Sequence, residues 1–345
     1  MKEAEIIKDK SEVMALSLVT YQFQKRPGEW GQYGKNGIEA SVRDAKYLLD
    51  YLYEALLANE SQILVSYALW ADELFRGLNL PENTMLKTLE CLKEIVDQEY
   101  STQLQKIFPF LNQAIDALKN KQTTISQPNF FQSPYGIQAQ QYIEMLLNGN
   151  RHEALQLISR LSDQGVSVKD IYLEIFQPAQ YQMGQLWLKN EISVAKEHYC
   201  TAVTQQAMSM LYPKIFSTER KGLTFVAACV GNELHEIGVR MVADFFEMDG
   251  WDTYYLGANT PTDSIIKAVN ERNADLVGLS IALPIHRSLL RSIIEQLKPQ
   301  LPQKTKIIIG GYALNHLNFD INWFGAHAYA PNAQEAIEIG NSLAA

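Results

Sequence analysis

Cysteine is scarce in this chain: three among 345 residues, Cys91, Cys200 and Cys229, with no CxxC pair. That excludes a disulfide framework or a thiolate metal cluster and fits a reducing, cytoplasmic setting. Histidine is also sparse, six in all, and the first is His152. Basic residues are outnumbered, 30 Lys and Arg against 39 Asp and Glu, for a net charge of −9. With no recognition-helix pattern besides, no direct nucleic acid binding is expected. No window approaches a membrane-spanning run, and the N-terminus mixes acids and bases without the apolar core of a signal peptide. No Ser-His-Asp set, P-loop or HExxH motif marks a catalytic site, so the chain is not expected to be an enzyme. What is present, 47% hydrophobic and 20% charged residues, is enough for two or three packed domains.

Residues 1–120 read as an all-helical domain. A first helix covers about 3–24, and a Gly/Pro-rich loop follows from Arg26 to Gly37. Ala45, Leu48, Leu49, Leu52, Leu56 and Leu57 then recur in steps of three and four, the stripe of an amphipathic helix. Pro109 is expected to kink or split a helix over 102–118. Residues 121–136 are polar, carry two prolines and read as a linker. Residues 137–215 hold four helical stretches, near 137–147, 151–164, 168–187 and 191–213, which suit a four-helix bundle. Over 222–345 the runs LTFVAACV, DTYYLGA, ADLVGLSIAL, KIIIGG and AHAYA alternate with helices. Such buried runs predict an α/β domain with a five-stranded parallel sheet in flavodoxin-like order. Its ligand would sit beyond the carboxyl ends of the strands.

Three loops at that rim carry chemistry. Glu233-Leu-His235-Glu236-Ile-Gly238 follows the first strand, Ser280-Ile-Ala282-Leu283 ends the third, and Gly310-Gly311 ends the fourth. A lone His is more often an ordinary core or surface residue, and a lone Gly pair only a turn; three such loops on one rim are a stronger signal. Ser280 follows Gly238 by 42 positions, and Gly310 follows Ser280 by 30. The pattern resembles the B12-binding domains of methionine synthase, mutases, corrinoid proteins and light-sensing regulators: D-x-H-x-x-G, then S-x-L or a variant, then G-G. The resemblance implies cobalamin in base-off, His-on form, with His235 as the ligand to cobalt. The acid two positions earlier would fix the tautomer of that imidazole and raise its basicity; here it is Glu233 rather than Asp. Glu236 belongs to the same motif. Gly238 would admit the displaced nucleotide tail, Ser280 with Ala282 and Leu283 would meet it, and Gly310 and Gly311 would clear its path.

Within the bundle, Trp187 precedes Glu197-His198 by a nine-residue gap. This W-x9-E-H spacing resembles the helical cap of the CarH/LitR-type adenosylcobalamin photoreceptors. The resemblance implies adenosylcobalamin, with Trp187 against the adenosyl group and Glu197 and His198 lining its pocket. Taken alone, the same residues read as bundle core and a surface polar pair. Leu188 stands where the best-known light sensors carry a cobalt-capturing His. Their DNA-binding domain has no counterpart in residues 1–120. That domain is expected to bind a protein partner or a second copy of the chain. It could instead clamp a bilin such as biliverdin among Trp30, Tyr33, Tyr51, Tyr53, Tyr67 and Trp70, aromatics that also read as plain core. The leading expectation is a light sensor in which cleavage of the Co–C bond alters cap packing. The alternative is a corrinoid methyl carrier of a methyltransferase system. A mutase subunit would need a substrate barrel, and no eightfold βα pattern precedes residue 222. A sheet domain that had lost its cofactor would not keep all three loops.

Overall fold

The computed structural model describes residues 2–120, 133–315, 317 and 319–345. Most of the expected linker, residues 121–132, lies outside the described residues. Two compact units emerge: one holds residues up to 120 together with Leu188–Glu191, the other residues 133 to Trp187 and Ile192 to Ala345.

The first unit is all helical: α1 (Lys2–Lys25), α2 (Pro27–Trp30), α3 (Gly34–Ala58), α4 (Gln62–Gly77), α5 (Thr84–Glu99) and α6 (Ile107–Lys119). On α3 the expected stripe buries Ala45, Leu48, Leu49 and Leu52, whereas Leu56 and Leu57 are only half-buried. Two expectations are corrected. The stretch from Arg26 to Gly37 is not an open loop but α2, a short 3-10 turn and the start of α3. Pro27 opens α2, where the missing N–H costs nothing, and Gly34, at φ +56°, turns the chain into α3. Pro109 neither kinks nor splits a helix. It lies in the first turn of α6, where backbone N–H groups have no partner within the helix.

The second unit begins with a bundle: α7 (Gly136–Leu147), α8 (Arg151–Asp163), α9 (Val168–Ile171) continuing into α10 (Gln177–Leu188), then α11 (Val194–Met210) and the short α12 (Tyr212–Ile215). Between α9 and α10 the helix widens into a π turn, Tyr172–Phe176, closed by Gln177 N donating to Tyr172 O. Pro178 explains the widening, because its ring lacks an N–H and crowds the preceding turn. Ser167 and Ser193 cap α9 and α11, their hydroxyls accepting from Asp170 N and Lys196 N.

The sheet follows: β1 (Thr224–Cys229), α13 (Ile237–Met248), β2 (Asp252–Gly257), α14 (Thr262–Arg272), β3 (Leu276–Ser280), α15 (Arg287–Leu297), β4 (Lys306–Gly310), α16 (Tyr312–Asn315), α17 (Ile321–Phe324), β5 (Ala328–Ala330) and α18 (Ala333–Ala344). All strand pairs are parallel, in the order β2-β1-β3-β4-β5. The expected flavodoxin-like α/β fold and helical bundle are therefore present. Period-two alternation divides β1 between two cores. Phe225, Ala227 and Cys229 face the core shared with the bundle, α13 and α18, while Val226, Ala228 and Val230 face the core under α14 and α15. Two glycines make room for a central stack of Phe225 on Phe246, whose rings lie 4.1 Å apart. A Cβ on Gly278 would come within 2.6 Å of Phe225, and one on Gly340 within 2.6 Å of Phe246. This packing holds the carboxyl ends of β1, β3 and β4 at one rim.

Candidate functional site

The rim is organised by one carboxylate. Glu233, in the loop after β1, is 0% exposed. Its Oε1 accepts from the backbone N of His235 at 3.0 Å and from His235 Nδ1 at 2.6 Å. Its Oε2 accepts from Ala282 N at 2.7 Å, Leu283 N at 3.2 Å and His286 Nδ1 at 3.0 Å. A buried charge needs such saturation, and Glu233 receives it from two different strand ends. Burial opposes its ionisation, but the hydrogen bonds from His235 and His286, with the charge of His235, hold its carboxyl below the usual carboxylate range.

The His235 side chain is 61% exposed, unlike its partner. In the neutral ring, Nδ1–H is committed to Glu233, which leaves the Nε2 lone pair as the one available to a metal. The hydrogen bond His235 donates to Glu233 raises the pKa of the imidazole against the opposing effect of burial, helped by the negative charges of Glu233 and of Glu197 on α11. Among the described residues no group of three or more His, Cys, Asp or Glu could hold a metal ion.

The glycines differ in role. Gly311 has φ +106°, and a Cβ there would lie 2.2 Å from Ile281 O and 2.8 Å from Ser280 Oγ. Only glycine lets the β4 loop lie this close to the β3 loop. A Cβ on Gly310 would meet Ala330 O at 2.9 Å. Gly238, in the first turn of α13, faces open space with nothing within 4 Å. These features fit a cobalamin: an exposed imidazole whose second nitrogen is available to cobalt, and open space at Gly238 for the tail.

The structure thus gathers Glu233, His235, Ser280, Ala282, Leu283 and Gly311 at one rim, with Gly310 just behind. Glu236 takes another part: Oε1 accepts from Gln205 Nε2 on α11 at 2.7 Å, and Oε2 accepts from Tyr255 Oη at 2.9 Å and Ala258 N at 3.0 Å. It ties the bundle to the β2 end. On the bundle, Trp187 is half-buried. Glu197 accepts from Thr201 Oγ1 at 2.9 Å and lies 3.6 Å from His198 Nε2. The His198 side chain is 73% exposed, and Leu188 is buried. Of the remaining histidines, His327 Nδ1 accepts from Ile307 N at 2.9 Å, at the opposite end of β4. His316 lies outside the described residues. Sequence reasoning missed His286. The only cue was that a buried carboxylate has more acceptor sites than one His can fill.

In the first unit, the six aromatics named as a bilin clamp pack in three ring sets, two of which meet where Trp30 and Tyr67 line one small cavity. Tyr51 stacks on Tyr67 at 4.2 Å, and Tyr67 on Trp70 at 6.2 Å. Trp30 packs with Phe23 and Tyr33, and Tyr53 lies under Lys8 Nζ at 5.3 Å.

Comparison with known proteins agrees with this geometry. B12-binding-domain family models match residues 138–212 and 223–338, and a phycobilisome-protein model matches residues 2–120. Dimethylamine corrinoid protein 3 of Methanosarcina mazei is 29% identical over 167 residues, 48% of this chain and 96% of that one. Dimethylamine corrinoid protein 1 of the same organism is 30% identical over 128 residues, 36% of this chain and 58% of that one. The Methanosarcina barkeri monomethylamine corrinoid protein structure has a TM-score of 0.51, is 18% identical, and covers 59% of this chain and 96% of its own, which supports the fold. These relatives overturn the light-sensor expectation, since they are corrinoid proteins named for methylamines. The W-x9-E-H spacing that suggested a photoreceptor rests on a half-buried Trp187 and an exposed His198, which do not by themselves define an adenosyl pocket. Through its bundle and sheet, residues 138–338, the chain belongs to the cobalamin-binding proteins.

Proposed function

We propose that this protein is a corrinoid methyl carrier: it holds cobalamin base-off with His235 Nε2 as the lower ligand and serves a partner methyltransferase. The observation behind this reading is the Glu233–His235 pair, a fixed Nδ1–H tautomer with Nε2 turned toward an exposed rim. The corrinoid relatives supply the reaction class. Bound cobalamin supplies a cobalt centre that accepts and releases a methyl group. The chain's own residues hold and orient. Glu233 fixes the imidazole, Gly238 leaves open space for the nucleotide tail, Gly311 lets the β4 loop close on the β3 loop beside it, and the bundle with Trp187 and Glu197 covers the other side. Methylcobalamin thus takes the place of the adenosylcobalamin first expected. The protein is a carrier rather than a catalyst, and the methyltransferase is its protein partner. Among the described residues no helix is long and apolar enough to cross a membrane.

The test is the upper ligand of cobalamin recovered from dark-grown cells, identified by mass spectrometry. Methyl or water supports the carrier. An adenosyl group retained in stoichiometric amount overturns it.

The phycobilisome match favours a separate reading of residues 2–120, a bilin held without a covalent bond. Cys91 is fully buried, and burial raises its thiol pKa, so it does not offer a thiolate for attachment. A bilin released by acidic methanol from the purified protein supports this reading. One that stays bound after denaturation, and is lost in Cys91→Ser, overturns it.

A further inference from the structure

Glu233 is clamped from both sides. On Oε1 it takes the backbone N–H and Nδ1–H of His235. On Oε2 it takes two backbone N–H groups and Nδ1–H of His286. His286 is 6% exposed and belongs to the 3-10 turn Pro284–His286, directly before α15. Its ring cannot swing into solvent without opening the β3 loop. A carboxylate has two in-plane acceptor directions on each oxygen. Oε2 shares its two directions among three donors, two backbone N–H groups of the β3 loop and the ring N–H of His286, so the carboxylate plane is held and Oε1 is left for His235. No part of the rim motif includes His286.

We propose that His286 is a positioning residue for cobalt ligation: by holding Oε2 it fixes the plane of the Glu233 carboxylate, which in turn fixes the tautomer and heading of His235. This rests on the reading of His235 as the lower ligand. His286 touches neither cobalt nor the reacting atoms; it acts through Glu233. The consequence is a requirement for a donor at the Nδ1 position of residue 286. The amide nitrogen of asparagine can take that place. The amide nitrogen of glutamine lies where Nε2 would be and cannot.

The test compares full-length His286→Asn and His286→Gln with the unaltered chain and with His235→Ala. Each is loaded with hydroxocobalamin and reduced to cobalt(II). The readouts are the 15N splitting from labelled histidine in the electron paramagnetic resonance spectrum, distinct from the 14N triplet of the cofactor's own base, the affinity for hydroxocobalamin, and the thermal unfolding of the cobalamin-free protein. The Gln variant is expected to lose the 15N splitting and to bind about 10-fold more weakly or worse, while the Asn variant stays within about twofold of the unaltered chain. Equal spectra and affinities for the Asn and Gln variants, whether both intact or both impaired, overturn the proposal. Unfolding of both variants at ordinary temperature overturns it too, since His286 would then be a folding residue. Absence of 15N splitting in the unaltered chain instead sinks the lower-ligand reading itself.

Discussion

The Tyr172 hydroxyl donates to Asp244 Oδ2 at 2.7 Å, joining the π turn of the bundle to α13 beside the sheet. Asp244 is nearly fully buried. Burial pushes its carboxyl up to about 6, against the opposing hydrogen bond of Tyr172 and the nearby Arg240. Arg240 is itself held by Ser209 Oγ at 2.9 Å and Tyr212 Oη at 3.0 Å.

A pH dependence follows from that seam. The folded pKa of Asp244 lies above its ordinary value of 3.8, so the folded state binds the proton more tightly. Its contribution to stability is full below the unfolded value and is lost as pH rises toward about 6. Asp244→Asn keeps an acceptor for Tyr172 and removes the charge. It should raise stability above pH 7 by about 1–2 kcal/mol and flatten the profile between the two pKa values. Urea titrations at several pH values measure this. A variant less stable at every pH would contradict it.

Glu233→Leu leaves two imidazole and three backbone donors without their acceptor. The expected loss is about 3–5 kcal/mol in the cobalamin-free protein, read by chemical unfolding. The sign with pH is opposite to that of Asp244. Because the folded pKa of Glu233 is depressed, its contribution is full above the ordinary value of 4.5 and is lost as pH falls through the lower folded value.

Two glycine substitutions should separate stability from binding. Gly311→Ala meets Ile281 O at 2.2 Å in a left-handed conformation and should destabilise the fold by about 2 kcal/mol or more. Gly238→Ala enters open space in a helical turn and should leave stability equal or slightly higher. If that space is the lane for the nucleotide tail, cobalamin affinity in Gly238→Ala should still fall by about 10-fold, because a rigid lane has no room for an added methyl group. Thermal unfolding beside equilibrium dialysis resolves the pair. Unchanged affinity in Gly238→Ala would place the tail elsewhere.

The sheet was legible because its strands are short apolar runs bounded by glycine and asparagine, and because parallel strands covered on both faces lack polar alternation. Glu233, His235, Ser280 and the glycines were legible because their spacing places three loops on one rim. Pro27 and Pro109 misled because the sequence does not say whether a proline begins a helix or interrupts one. Glu236 and His286 were harder. The bond from Gln205 to Glu236 joins the bundle to the loop before α13, and the bond from His286 to Glu233 spans two strand ends. Neither follows from local periodicity. The photoreceptor expectation failed at the same limit, since a spacing within the bundle does not fix what lies over its Trp187.

The central claim is that His235 Nε2 is the ligand to cobalt. The most direct measurement is the electron paramagnetic resonance spectrum of the cobalt(II) form, prepared from hydroxocobalamin, in the unaltered chain and in His235→Ala. The side chain is largely exposed, so the variant should fold normally. With 15N-labelled histidine in the protein, the account expects a 15N doublet in the unaltered chain and its loss in the folded variant, where any splitting is the 14N triplet of the cofactor's own base. The same doublet in both would contradict it.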